Sequence, residues 1–230
     1  MRKYLILAFL WSAAGISAQT LWQVSTLKSL MDGNYDGTVK VEEVHKYGDC
    51  GLGTFDRIDG EMVVLNDTVF QCLYDGSVTI ADEHLTVPFA DVAKMGPSVS
   101  RDIRASRSLD LLTKRLDKLI DPRGMYLVTL EGRFGSMTVR SERPQTKPYK
   151  PLAETLPHAE RRFDYADVSG ILIGLYTPET MAESTGSGWH FHFISTDRRR
   201  GGHVLSLSCG RLRLKMTRLT ELRMFRQSVP

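Results

Sequence analysis

His190-Phe191-His192-Phe193 sets imidazole and phenyl rings in strict alternation, and a third histidine, His203, completes a stretch of 14 residues. In an extended strand successive side chains point to opposite faces, so His190 and His192 share one face and the two phenylalanines the other. Thr196-Asp197, three arginines and Gly201-Gly202 follow, a polar, glycine-bearing reversal suited to a hairpin. With its turn centred near residues 197 and 198, His203 falls opposite His192, where facing Cβ atoms lie about 4.5–5.5 Å apart. Three convergent imidazoles suit a divalent metal, Zn2+ first among them, and leave one coordination position open for water or substrate. Iron, copper and nickel also accept imidazole. The spacing therefore predicts a catalytic-type metal site with His190, His192 and His203 as ligands. His45, His84 and His158 stand apart from any such pattern and are read as ordinary polar side chains.

A second motif competes for a cation. Asp32-Gly33-Asn34-Tyr35-Asp36-Gly37, with Glu43 six residues on, satisfies the pattern of a calcium-binding loop. No second such loop accompanies it, and Asp-Gly turns are common for backbone reasons alone.

The elements that must position these residues are short and strand-rich. Leu21, Val24, Leu27, Leu30 and Met31 recur at helical spacing, which predicts a helix from Leu21 to Met31. Val63-Val64-Leu65, Val69-Phe70 and Val78-Thr79-Ile80 read as strands, with turns at Asn66-Asp67 and Asp75-Gly76. Ser108 is placed to cap a helix running to about Ile120, which Asp121-Pro122 closes. Met125 to Leu130 and Phe134 to Val139 read as two strands joined through Glu131-Gly132. Pro144, Pro148 and Pro151 then interrupt regular structure. A short helix is expected at Leu152 to Ala159, then strands at Gly170 to Tyr176, Gly188 to Ser195 and His203 to Cys209. Arg211 to Met224 forms a last strand or strand pair. The expectation is an α+β fold, mostly antiparallel or mixed β-sheet with a few helices, in two parts. The division is placed between an N-terminal α/β subdomain, 19–147, and a β-rich C-terminal one, 148–230, carrying the hairpin.

The first 18 residues are read separately. Arg2 and Lys3 precede an apolar run from Tyr4 to Ile16 that ends at Ser17-Ala18, the layout of a secretory signal cleaved near Ala18. The run is shorter than the roughly 20 residues a membrane span needs, and no later segment is long and apolar enough either. Export to a periplasm or to the medium is expected, with no membrane attachment after cleavage. The chain carries 30 basic and 27 acidic residues, and losing Arg2 and Lys3 leaves a net charge of +1. That balance does not point to nucleic acid as a partner. Cys50, Cys72 and Cys209 lie far apart with no CxxC pair, which leaves one disulfide or none.

Several segments together resemble the acetolactate decarboxylases. They are Tyr35-Asp36-Gly37, Gly48-Asp49-Cys50-Gly51-Leu52-Gly53-Thr54-Phe55, Asp59-Gly60-Glu61 and Lys147-Pro148-Tyr149, with Gly188-Trp189-His190-Phe191-His192-Phe193-Ile194-Ser195 continuing to Gly201-Gly202-His203-Val204. The resemblance recasts the apparent calcium loop as the family's Tyr-Asp-Gly turn. It implies a metal-dependent carboxy-lyase that converts 2-acetolactate to acetoin and carbon dioxide through a metal-stabilised enediolate, as a homodimer. The three histidines would be the metal ligands. Glu61 matches the acidic residue reaching the metal, Thr54 the polar residue of the Gly-Leu-Gly-Thr-Phe motif, and Arg140 the active-site arginine, with Arg143 as its fallback. Cys50 stands where the family has an aromatic residue. The family adds a further glutamate from a C-terminal segment, and Glu221, the only acid after Asp197, is not assigned to it. A related lyase acting on another 2-hydroxy-3-keto acid, or an exported metal-binding module without catalysis, would share the hairpin.

Overall fold

The structure is a computed structural model that describes residues 19–225; the expected signal, residues 1–18, lies outside the described residues. In chain order the first elements are β1 (Thr20–Val24), α1 (Leu27–Met31), β2 (Val39–Lys40), α2 (Val41–Tyr47), β3 (Cys50–Thr54), β4 (Glu61–Leu65) and β5 (Thr68–Cys72). Next come β6 (Val78–Ile80), β7 (Thr86–Val87), β8 (Phe89–Ala93), β9 (Val99–Ile103), α3 (Leu109–Asp117) and β10 (Met125–Glu142). The chain closes with α4 (Leu152–Ala159), β11 (Glu160–Thr177), α5 (Ala182–Thr185), β12 (Gly188–Ser195), β13 (Gly201–Leu219) and β14 (Glu221–Met224).

Two large sheets and a two-stranded pair, β2 with β7, result, and the expected α+β, largely antiparallel class is what the chain adopts. Seven strands line up as β14-β1-β8-β3-β4-β5-β6, all antiparallel except the parallel pair β1 and β14. The second sheet runs β10-β11-β12-β13-β9, and an added pairing of β10 with β13 closes four of these strands into a ring. Closure gives the long strands a partner on both sides, which removes exposed edges. The tight β4–β5 connection places Asn66 and Asp67 at φ 50° and 58°, as a two-residue hairpin with left-handed central residues requires.

Alternation along the long strands sorts side chains between two cores. Val128, Leu130, Phe134, Phe191, Phe193, Leu212 and Leu214 pack with one another inside the ring. Leu127, Ile173, Leu175 and Ile194 face the other way and meet Leu52, Val63, Leu65 and Phe70 of the seven-stranded sheet. Two helices flank this frame: Ser108 caps α3 as expected, by accepting from the Leu111 N–H, but α3 ends at Asp117, short of Ile120, while α4 spans Leu152–Ala159 as expected.

Three expectations change. Leu21 to Met31 is not one helix: Thr20–Val24 is a strand, Ser25 turns at φ 56°, and Thr26 caps the short α1 through the Ser29 N–H. Partners on both sides, β8 and β14, satisfy that backbone more completely than a surface helix would. Met125 to Val139 is one strand extending to Glu142, with Gly132 marking a register shift rather than a turn. Nor do the sheets part at residue 147, since β9 and β10 pair with β11 and β13 from the far side of that boundary.

Candidate metal centre and catalytic cavity

The hairpin forms with the register that the spacing predicts: His192 stands opposite His203, Phe193 opposite Gly202 and Ile194 opposite Gly201. Its turn is pinned from within. The Ser195 hydroxyl donates to Asp197 at 2.6 Å, the Arg199 and Arg200 amides point at Ser195 Oγ, and Arg198 adopts φ 60°. Gly202, at φ 140°, lies so close to β10 that a Cβ there would sit 2.4 Å from the Arg140 carbonyl oxygen. Only glycine permits that approach, and it brings His203 beside Arg140, its register partner on β10.

The histidine face of β12 turns toward the seven-stranded sheet. His190, His192 and His203 offer ring nitrogens that all lie within 4.8 Å of one another, the only such group of potential metal ligands among the described residues. His192 is buried, and its Nδ1 lies 2.7 Å from the Met62 carbonyl oxygen on β4. A carbonyl can only accept, so Nδ1 carries the proton and Nε2 keeps its lone pair for a ligand. Burial lowers His190 to about 4, with the Arg140 charge adding to the effect. His192 and His203 fall well below the ordinary histidine value, from burial first and then from His190 and Arg140. All three are therefore neutral at neutral pH, the state in which imidazole ligates a metal.

Glu61 and Arg140 reach this group from different sheets. Glu61 opens β4 after Gly60, whose φ of 82° and tight approach to the Cys72 carbonyl suit only glycine. The end of β10 docks on that turn: the Gly60 N–H donates to the Glu142 carbonyl, and Ser141 Oγ donates to the Cys72 carbonyl at 2.6 Å. These bonds set Arg140 Nε 4.0 Å from Glu61 Oε1, while Glu61 Oε2 lies 3.3 Å from His192 Nε2. Burial, and then the charge of Glu142, push the Glu61 carboxyl well above its usual range against the pull of Arg140. Thr54 lines the same cavity, but its hydroxyl donates to the Gly60 carbonyl at 2.7 Å, so it holds the turn that delivers Glu61. Arg143 is exposed and outside the cavity, whereas Arg140 lines it.

Two further acids contact Arg140, and Glu142 also lines the cavity. Glu142 is 4% exposed and its Oε1 lies 3.0 Å from Arg140 Nε; Glu160 Oε2 lies 3.6 Å from Arg140 Nη1. Sequence reasoning passed over both. Their signal was the Arg-x-Glu at 140–142 and the Glu-x-Arg at 160–162, each placing opposite charges on one face of a strand. Glu221 is remote from this cluster, bonded to Thr20 and Arg223. The residues of the calcium-loop pattern are likewise engaged elsewhere: Asp32 with Lys28, Asn34 with Ser29, Asp36 with Lys147 and Tyr149, and Glu43 with Lys46. All three cysteines are free and buried.

A cavity of about 330 Å³ joins these groups. It is lined by the three histidines, Glu61, Glu142 and Arg140 and by apolar side chains, Leu27, Leu30 and Met31 from α1, Leu152 and Leu156 from α4, and Trp189. Among the described residues, five buried side-chain polar atoms lack a hydrogen-bond partner. Two belong to Asp91, and the other three, Arg140 Nε, Glu142 Oε1 and His192 Nε2, belong to residues of this one cavity. Unpartnered buried polar atoms are costly, and their concentration here is the mark of a site built for a ligand.

The sequence profile described as alpha-acetolactate decarboxylase matches residues 21–228. An alpha-acetolactate decarboxylase of Methanosarcina mazei is 35% identical over 192 residues, which cover 83% of this chain and 66% of the relative. The Bacillus subtilis protein of the same name is 32% identical over 185 residues, covering 80% of this chain and 72% of its own length. The crystal structure of alpha-acetolactate decarboxylase from Bacillus subtilis strain 168 superposes with a TM-score of 0.87 at 28% identity, covering 91% of this chain and 90% of that one.

Proposed function

The chain belongs to the alpha-acetolactate decarboxylase family, and from that premise we propose that it decarboxylates 2-acetolactate to acetoin in the cavity beneath the histidine hairpin. The observation that carries this reading is the meeting of three neutral imidazoles, a buried acid and a guanidinium around unpartnered polar atoms. His190, His192 and His203 would hold a divalent cation, with Zn2+ favoured by an all-nitrogen set of three. The free Nε2 of His192 fits that assignment. When bound, the cation would supply Lewis acidity to the substrate's ketone.

The chain's own groups do the rest. Arg140 binds the substrate carboxylate by charge-assisted hydrogen bonds and fixes it near the histidines. The apolar lining lowers the local polarity, which strengthens each electrostatic contact inside. As the bond to the carboxylate breaks and carbon dioxide leaves, the electron pair passes into the adjacent ketone, and Arg140 stays beside the negative charge. Glu61, whose burial favours the protonated form, then delivers a proton to the carbon that lost carbon dioxide and is reprotonated from solvent. Thiamine and pyridoxal are unnecessary in this scheme because the substrate carries its own electron sink.

The test is direct. Zinc-loaded protein given racemic acetolactate should release acetoin, and chelator-treated protein should not. Metal uptake without acetoin would move the reading to another 2-hydroxy-3-keto acid, and absence of bound metal would move it to a non-metal role. Export is part of the proposal, supported by the basic and apolar N-terminus. The intact mass of protein recovered outside the cytoplasm should correspond to a chain beginning at Gln19.

A further inference from the structure

Arg140 sits inside a two-by-two block of charges. On paired strands, Arg140 faces Arg162 and Glu142 faces Glu160, so like charges stand directly opposite each other. Directly opposed like charges destabilise a sheet. The block is held by its other contacts: Arg140 Nε to Glu142 at 3.0 Å, Arg140 Nη1 to Glu160 at 3.6 Å, and Arg162 Nη2 to Glu160 at 2.6 Å. Glu160 is thus shared with Arg162, whose side chain is 63% exposed, whereas Glu142 faces Arg140 from a position 5% exposed. Glu61 competes for the same atom, since its own closest approach to Arg140 is also at Nε, at 4.0 Å. Two buried carboxylates therefore flank one Nε, and the nearer is the one that no metal-ligating or proton-transfer role requires.

We propose that Glu142 is the positioning residue for Arg140, holding the Nε edge of the guanidinium away from Glu61 so that its N–H groups face a substrate carboxylate. The contact is one of charge, because Arg140 Nε and Glu142 Oε1 lack a hydrogen bond although they are 3.0 Å apart. It orients Arg140 without consuming the Nε–H donor. Removing the charge at 142 leaves the Glu61 carboxyl, whose oxygen can still accept from the Nε–H, as the nearest acidic group to Nε. Arg140 then closes on Glu61, which weakens the grip on the carboxylate and occupies the acid. Glu160 cannot substitute, since it approaches at Nη1 and is already bonded by Arg162. This inference rests on the decarboxylation proposed above, but its test does not depend on turnover alone.

The experiment compares wild-type, Glu142→Gln and Glu142→Asp proteins, full chain and zinc-loaded. Three quantities are read: kcat and KM with acetolactate, calorimetric affinity for 2-hydroxy-2-methylpropanoate, and the Arg140–Glu61 distance in crystals. The probe has the hydroxyl and carboxylate of the substrate but no ketone to accept electrons, so it binds without reacting. Glu142→Gln should keep its metal and its melting temperature, raise KM about tenfold and lower kcat about tenfold, a combined loss of about 10²-fold. Its affinity for the probe should fall about tenfold, and Arg140 Nε should move onto Glu61. Glu142→Asp keeps the charge and should recover most of both losses; it carries the test if the Gln variant does not fold. Wild-type kinetics and probe affinity in Glu142→Gln, or an unmoved Arg140, would overturn the positioning role and leave the decarboxylase reading standing. If wild-type protein releases no acetoin, that reading fails, and probe affinity and the position of Arg140 still decide the role of Glu142.

Discussion

The two faces of β12 are made from the same eight residues and serve opposite ends. Phe191 and Phe193 enter the closed ring, where Phe193 is fully buried and meets Phe134 edge-on at 5.4 Å between centroids. His190 and His192, one residue out of phase, enter the space between the sheets and leave a nitrogen without a partner. One face is satisfied by packing, and the other is satisfied only when something binds. The difference shows that stability and chemistry can be divided by the period of a strand, with no need for separate domains.

If that division holds, substitutions on the two faces should separate cleanly. His192→Ala should abolish acetoin formation and metal retention, read by product assay and by metal analysis, with the fold and melting temperature little changed. Wild-type turnover in that variant would end the site assignment. Phe193→Ala should do the reverse. A cost of about 3–5 kcal/mol is expected for emptying a packed aromatic site, measured by denaturant unfolding. Metal uptake by the surviving folded fraction should remain. Arg140→Lys tests the polar face without touching a metal ligand. It should lose about 10²-fold in kcat/KM while keeping its metal, because lysine lacks the planar fork; an unaffected rate would remove Arg140 from the mechanism.

The smallest effect belongs to a place outside both faces. Lys147 and Tyr149 hold the exposed Asp36 carboxyl below its usual range. A lowered folded-state value means that this contribution to stability is present above the unfolded value near 4 and fades as the pH falls through the folded one. Asp36→Asn should therefore cost under about 1 kcal/mol at neutral pH, and nothing in acid, because the pair is solvent-screened. Urea midpoints for both proteins at neutral and acid pH measure it. A cost comparable to that of Phe193→Ala would mean that the turn, too, carries the fold.

The hairpin was readable because everything that fixes it is local. Alternation gives the faces, the glycines give the reversal, and the midpoint of the turn gives the pairing of His192 with His203. The N-cap of α3 and the span of α4 were legible for the same reason. The strand at Thr20–Val24 was not, since its apolar residues also fit a helix and its two partner strands lie far along the chain. The unbroken β10 was hidden by Gly132, which reads as a turn unless the bulge and both neighbouring strands are known. Family resemblance supplied Glu61 and Arg140, and the structure shows them meeting through the docking of Glu142 and Ser141 on the Gly60 turn. Glu142 escaped because the prolines after residue 143 suggested that the strand ended at Val139, and Glu160 because the strand that it opens was expected to begin only at Gly170.

The tightness of the hairpin has a consequence for how the protein comes into being. All three histidines fall within 14 residues, whereas the Met62 carbonyl that orients His192 lies 130 residues away in sequence. Closing a short loop costs little entropy, and contacts between distant segments form late. The histidine face can thus take shape early in folding, while the acid and the guanidinium that reach it from other strands are still apart.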